Sequence, residues 1–105
     1  MSILIEVNEF SFENEVLQSA VPVVIDFYGD YCGPCRMIKP VLALLADELG
    51  DKAKIVTVDV VSNAKLVNDF GISSVPTVLV VRDGKEVHRM VGIGALSELR
   101  DALQL

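Results

Sequence analysis

The residues of this chain best suited to chemistry are its two cysteines, which stand in the run Tyr31-Cys32-Gly33-Pro34-Cys35-Arg36. Two residues separate the sulfurs, so one helical turn brings them close enough to form a disulfide. A thiolate in such a pair can open a disulfide on another molecule, and the pair then works as a redox couple. Two plainer readings compete with this one. A structural staple across so short a loop would remove little chain entropy, and Gly-Pro at a helix start is a poor setting for inert core thiols. Zinc or an iron–sulfur cluster wants four ligands, and the one histidine, His88, lies in a distant strand. Redox chemistry is the stronger reading, with a cluster shared across a dimer as the remaining metal option.

Two elements must position the pair. Val23-Val24-Ile25-Asp26-Phe27-Tyr28, directly before it, reads as a buried strand, and Met37 through Leu49, directly after it, as an amphipathic helix. The cysteines therefore fall at a strand-to-helix junction, with Cys32 at the helix N-terminus. Unpaired backbone N–H groups and the macrodipole favour negative charge there, which should lower the pKa of the Cys32 thiol and raise its reactivity.

The rest of the chain alternates strand and helix signals. Ile3 to Val7 is a short edge-strand candidate. Ser11 can cap a first helix with Phe12, Val16, Leu17 and Ala20 on its inner face, ended by Pro22. Pro40 should kink the helix that follows the cysteines, and Gly50 should stop it in the left-handed conformation. Lys54 to Val60 reads as a strand, Asn63 as the cap of a short helix through Phe70, and Gly71 as its end. Thr77 to Val81 and Glu86 to Val91 flank Asp83-Gly84, a tight hairpin signal. Ser97 to Gln104 closes the chain as a helix with Leu99 and Leu103 on one face. This order predicts an α/β chain with a mixed sheet covered by helices on both faces, early parallel crossovers and a late antiparallel hairpin.

Length and composition set outer bounds. At 105 residues the chain, 1–105, is expected to form one domain, and its 51% hydrophobic content is far above that of a disordered segment. A net charge of −6 argues against nucleic-acid or anionic-membrane binding through a basic patch. The start, Met1-Ser2-Ile3-Leu4-Ile5-Glu6, lacks the basic flank and the apolar length of a signal peptide or a span. Two cysteines without a signal point to a reducing cytoplasm, where a disulfide is usually transient and catalytic.

From about Phe10 to Leu103 the sequence resembles the thioredoxin family. The residues that carry the likeness are Asp26-Phe27, Cys32-Gly33-Pro34-Cys35, Pro40, Val75-Pro76-Thr77 and Gly92. The chain departs from the family pattern at Tyr31 and Tyr28, where tryptophan is usual, and it contains no tryptophan at all. The resemblance implies the thioredoxin fold, a mixed five-stranded central sheet flanked by four helices. It also implies a general protein-disulfide reductase that acts as a monomer. Its partners would be disulfide-containing client proteins and a thioredoxin reductase that recharges it. No bound cofactor or metal is implied, only a reversible Cys32–Cys35 disulfide. Pro34 between the cysteines is similar to the reducing members of the family. An oxidant or isomerase on the same fold, and an interaction module whose cysteines matter little, are the rival functions.

The resemblance also implies roles. Cys32 attacks the substrate disulfide, and Cys35 resolves the mixed disulfide with Asp26 as proton acceptor and donor. Read from the residues alone, Asp26 is equally a strand-end carboxylate capping a loop in water. In the family it is buried behind the second cysteine, commonly near a lysine on the next strand, whose place Thr57 takes here. Pro76 alone reads as a turn proline. The resemblance makes Val75-Pro76 a cis peptide beside the disulfide, offering the Val75 backbone to an extended client. Tyr31, Gly33, Pro34, Gly92 and Ile93, with Val60 more loosely, would complete that groove, and Tyr28 reads as structural. His88, Arg82, Lys85 and Arg89 read as a solvated hairpin, and Met37 and Met90 as core or rim packing.

Overall fold

Five strands pair in the order β1-β3-β2-β4-β5 in the computed structural model, which describes residues 4–94 and 96–104. They are β1 (Ile5–Glu6), β2 (Val23–Tyr28), β3 (Lys54–Asp59), β4 (Thr77–Arg82) and β5 (Lys85–Val91). β1 and β2 run parallel to β3, while β4 is antiparallel to both β2 and β5. This is the mixed sheet that the element order predicts. β2 lies at its centre and is buried from Val23 through Phe27. An uninterrupted apolar run suits a strand covered on both faces, because each successive side chain points to the opposite side.

That alternation divides the core in two. Val24, Ile55, Val78, Val80 and Met90 point to one face, where they pack on helix α1 (Gly33–Leu49) and helix α3 (Leu96–Leu103). Val23, Ile25, Phe27, Val56, Val58 and Leu79 point to the other, under the turn containing Phe12 and Val16 and under helix α2 (Ala64–Phe70). α1 brings Ile38, Leu42, Leu45 and Leu49 to the sheet, spaced three or four residues apart. It continues unbroken across Pro40. The hairpin turn has φ of 53° at Asp83 and 77° at Gly84, the two positive values that a tight turn between twisted strands requires.

Several local expectations need correction. Ile3 lies outside the described residues, and β1 is only the pair Ile5–Glu6. The first helix shrinks to a π-wound turn, Glu13–Leu17, that ends well before Pro22, and Leu17 and Ala20 are exposed. Asn8, not Ser11, organises its entry, its side chain accepting from the N–H groups of Phe10 at 2.9 Å and Ser11 at 3.0 Å. Gly50 has φ of 55° but ψ of −123°, so it leaves the helix without entering the left-handed helical well. Asn63 stands at the start of α2 but does not cap it with its side chain. It accepts instead from the Glu9 N–H at 3.0 Å and donates to the Asp59 carbonyl at 2.9 Å. The Glu9 carboxylate takes over at α2, accepting from the Lys65 N–H at 2.9 Å.

The hairpin charges are not simply solvated. Arg82 donates to the Ala102 and Leu103 carbonyls, and Arg89 to those of Phe70 and Gly71, so each guanidinium closes a helix C-terminus. His88 meets Glu98 at 2.7 Å, tying β5 to α3. Met90 is core, whereas Met37 is exposed.

Candidate active site

Strand register gathers the site at one end of the sheet. β2 ends at Tyr28, and after four residues α1 begins. Phe27 pairs with Thr77, and Thr77 with Val91, so Pro76 and Gly92 lie beyond the same sheet end as Tyr28. Residues just outside strand ends in such sheets are where ligands bind, because loops there can diverge while the strands hold them fixed.

Cys32 and Cys35 are joined by a disulfide, S–S 2.04 Å. Cys32 is the N-cap of α1, and its sulfur accepts from the Cys35 N–H at 3.0 Å. A thiolate at Cys32 would meet the same donor and the positive end of a 17-residue helix. The two sulfurs differ in access: Cys32 retains 8% of its surface and Cys35 4%. Gly33 and Pro34, between them, are exposed. Tyr31 projects fully, 99% exposed.

The Val75–Pro76 peptide is cis. Thr77 Oγ1 donates to the Ser74 carbonyl at 2.7 Å, closing the loop that presents this bond. The Pro76 carbonyl accepts from the Gly92 N–H at 2.8 Å, which ties the residue after β5 to the cis-proline loop. Gly92 has φ of 79°, a conformation that glycine takes without penalty, and open space surrounds the place a side chain would occupy. Ile93 is exposed beside it. Val60 and Val75 both approach Gly29 and line an apolar hollow of about 270 Å³ with Val67 and Ile72.

Asp26 is fully buried, and neither carboxylate oxygen has a hydrogen-bond partner among the described residues. Its neighbours in register are Thr57 on β3 and Val78 on β4. Loss of water raises its pKa from the usual 3.8 to about 6, while the Lys39 ammonium pulls it back down. The carboxylate is thus basic enough to take a proton near neutrality and acidic enough to return it. Thr57 does stand beside Asp26 in place of the family's usual strand lysine, and the cation that acts on the carboxylate is Lys39. It comes from α1 rather than from the neighbouring strand. Its sequence signal was its position four residues after Cys35, one turn along the same helix face.

A pair of cysteines at the N-terminus of the helix that follows a central strand, with a cis-proline loop beyond the same end of the sheet, is the site of a thiol-disulfide oxidoreductase. The thioredoxin family model matches residues 3–105. The chain is 37% identical to thioredoxin 1 of Synechococcus elongatus over 98% of its own length and 96% of the relative's. It is 41% identical to thioredoxin of Mycolicibacterium smegmatis over 97% and 96% of the two chains. Against thioredoxin of Haemophilus influenzae the identity is 41%, covering 88% of this chain and 86% of that one. The chain belongs to the thioredoxin family, and its fold and cysteine pair are those of a protein-disulfide reductase. Among the described residues, no group of three or more His, Cys, Asp or Glu side chains could hold a metal ion. No helix among them is long and apolar enough to cross a membrane.

Proposed function

We propose that the reductase cycle runs through Cys32 as nucleophile, Cys35 as resolving thiol and Asp26 as the proton acceptor and donor. The Cys32 thiolate attacks one sulfur of a client disulfide, forming a mixed disulfide and releasing the first client thiolate. Cys35 then passes its proton to Asp26 and attacks the Cys32 sulfur. The Cys32–Cys35 bond forms, the mixed disulfide breaks, and the departing client thiolate takes up the proton held by Asp26. Two electrons have moved from the dithiol to the client. The observation that carries the reading is the Cys32 sulfur held at the N-cap of α1 against the Cys35 N–H at 3.0 Å.

Tyr31, Gly33, Pro34, Val75, Pro76, Gly92 and Ile93 form the groove in which an extended client segment lies, its backbone meeting that of Val75 as a short added strand. Support comes from the exposure of Tyr31 and Ile93 and from the Gly92–Pro76 hydrogen bond. The whole chain, 1–105, works as one thioredoxin-like domain, since the family match extends across nearly all of it. It acts as a monomer, without a bound cofactor, and a thioredoxin reductase restores the dithiol. A reducing cytoplasm is the compartment in which such a pair cycles.

The test is a trapping experiment. Cys35→Ser should accumulate mixed disulfides with client proteins through Cys32, and Cys32→Ser should not. Mass spectrometry that found clients on Cys35 would reverse the two roles.

A further inference from the structure

Six residues, 71–76, lead from the end of α2 to the start of β4, and they carry Val75 and Pro76. The far end of this loop is tied down by Thr77 Oγ1 on the Ser74 carbonyl and by the Gly92 N–H on the Pro76 carbonyl. Its near end turns at Gly71, left-handed at φ 62° and ψ 43°, with the Ile72 N–H donating back to the Val67 carbonyl at 2.9 Å. The carbonyls of Phe70 and Gly71, at the helix end, need partners from elsewhere. Arg89 supplies them, its Nη2 donating to Phe70 at 2.6 Å and its Nη1 to Gly71 at 3.5 Å. The same guanidinium holds Glu86, Nε to Oε2 and Nη2 to Oε1, each at 2.8 Å. Together these bonds occupy nearly all the donors of a guanidinium and fix its plane.

A bulge makes the pairing of Glu86 with Arg89 possible. Successive side chains of a strand alternate, so residues three apart would leave opposite faces of the sheet. Leu79 pairs with Arg89 and Val80 with His88, but Val81 pairs with Glu86, so Val87 is an extra residue in β5. It turns Glu86 to the face of Arg89, Leu79 and Val81, the face that α2 covers. The Glu86 and Arg89 side chains are 32% and 33% exposed, and an ion pair so placed adds little to stability. What it supplies is geometry. Arg89 stands three residues before Gly92, so one stretch of chain holds both ends of the loop, Arg89 its start and Gly92 its end. We propose that Arg89, locked by Glu86, is a positioning residue for client binding, setting where the loop after α2 holds the Val75 backbone. This rests on the reading of that backbone as the place where the client segment pairs. Arg89 acts only through the loop, so a disulfide too small to pair along the groove is indifferent to it.

The test compares two substrates: insulin, with dithiothreitol as electron source, and hydroxyethyl disulfide, added to the pre-reduced protein. Arg89→Met should raise KM for insulin about five- to tenfold while kcat stays within about twofold of the parent. Its rate with hydroxyethyl disulfide should match the parent's. Arg89→Lys, whose ammonium has no fork to hold Glu86 and both carbonyls together, should fall between the two. Glu86→Ala should raise KM for insulin by less than Arg89→Met, and the double variant should be no worse than Arg89→Met alone, because the pair acts as a unit. Should Arg89→Met not fold, Arg89→Lys and Glu86→Ala carry the same comparison. A parent-like KM in the Arg89 variants overturns the proposal, as do equal losses on insulin and hydroxyethyl disulfide. Gly92→Val separates the two readings. If it slows both substrates equally, the groove reading fails and takes the Arg89 role with it. If it slows insulin alone while the Arg89 variants change neither substrate, the Arg89 role alone fails.

Discussion

Replacing Asp26 with alanine should stabilise the oxidised protein at pH 8, although it removes a side chain from the core. The folded protein holds the Asp26 proton more tightly than the unfolded chain does, with a pKa raised from 3.8 to about 6. Between those values the native state binds the extra proton, so stability falls as pH rises through the window and the loss is complete above the folded pKa. A rise of that size corresponds to about 3 kcal/mol. Alanine removes this penalty and leaves a cavity of a few heavy atoms, which costs about 1 kcal/mol. The net gain at pH 8 is then about 2 kcal/mol, or roughly 10 °C in Tm for a domain of this size. Below the unfolded pKa, Asp26 is protonated in both states and the advantage disappears. Denaturant melts of parent and variant at pH 8 and near pH 3.5 measure the difference. A variant less stable than its parent at pH 8 would refute the reasoning, because it would mean that the carboxylate is solvated or paired. The proton-acceptor role would then lose its physical basis.

Two glycines give further tests. Gly92→Val must adopt a φ of 79°, which costs a side-chain-bearing residue about 1–2 kcal/mol, and it places bulk where the client backbone would lie. Client reduction should therefore fall by more than reduction of a small disulfide, and equal losses on both substrates would argue against the groove. At Gly94 a Cβ would stand 2.3 Å from Met90 Sδ and 2.7 Å from its Cγ, so Gly94→Ala must push a buried methionine out of place. We expect a loss of about 1–3 kcal/mol in thermal or denaturant melts, shrinking when Met90→Ala is present as well.

The parts of the molecule legible in the sequence were those fixed by neighbours along the chain. Val23 to Tyr28 and the Cys32–Cys35 spacing announce a strand, a helix N-terminus and a redox pair within thirteen residues, and all three occur. Asp83-Gly84 specifies its own turn because few residue pairs accept two positive φ values. Sequence reading failed where a distant segment supplied the partner. Asn63 has the side chain of a cap, but Glu9 and Asp59 claim it, and Glu9 serves the helix in its place. Arg82 and Arg89 look solvated in a hairpin until helix ends elsewhere in the chain arrive beside them. Leu17 and Ala20 fit a helical stripe, yet the turn ends too soon to bury them. Lys39 was missed for the same reason: only the packing of α1 on β2 brings it to Tyr28 and toward Asp26.

The central claim is that Cys32 and Cys35 together reduce protein disulfides. It is tested most directly by turnover of a protein whose chains are joined by disulfides, with dithiothreitol as the electron source. Catalytic amounts of the parent should accelerate reduction well beyond dithiothreitol alone, and Cys32→Ser should abolish the acceleration. A parent protein no faster than dithiothreitol, or a Cys32→Ser protein as fast as the parent, would contradict it.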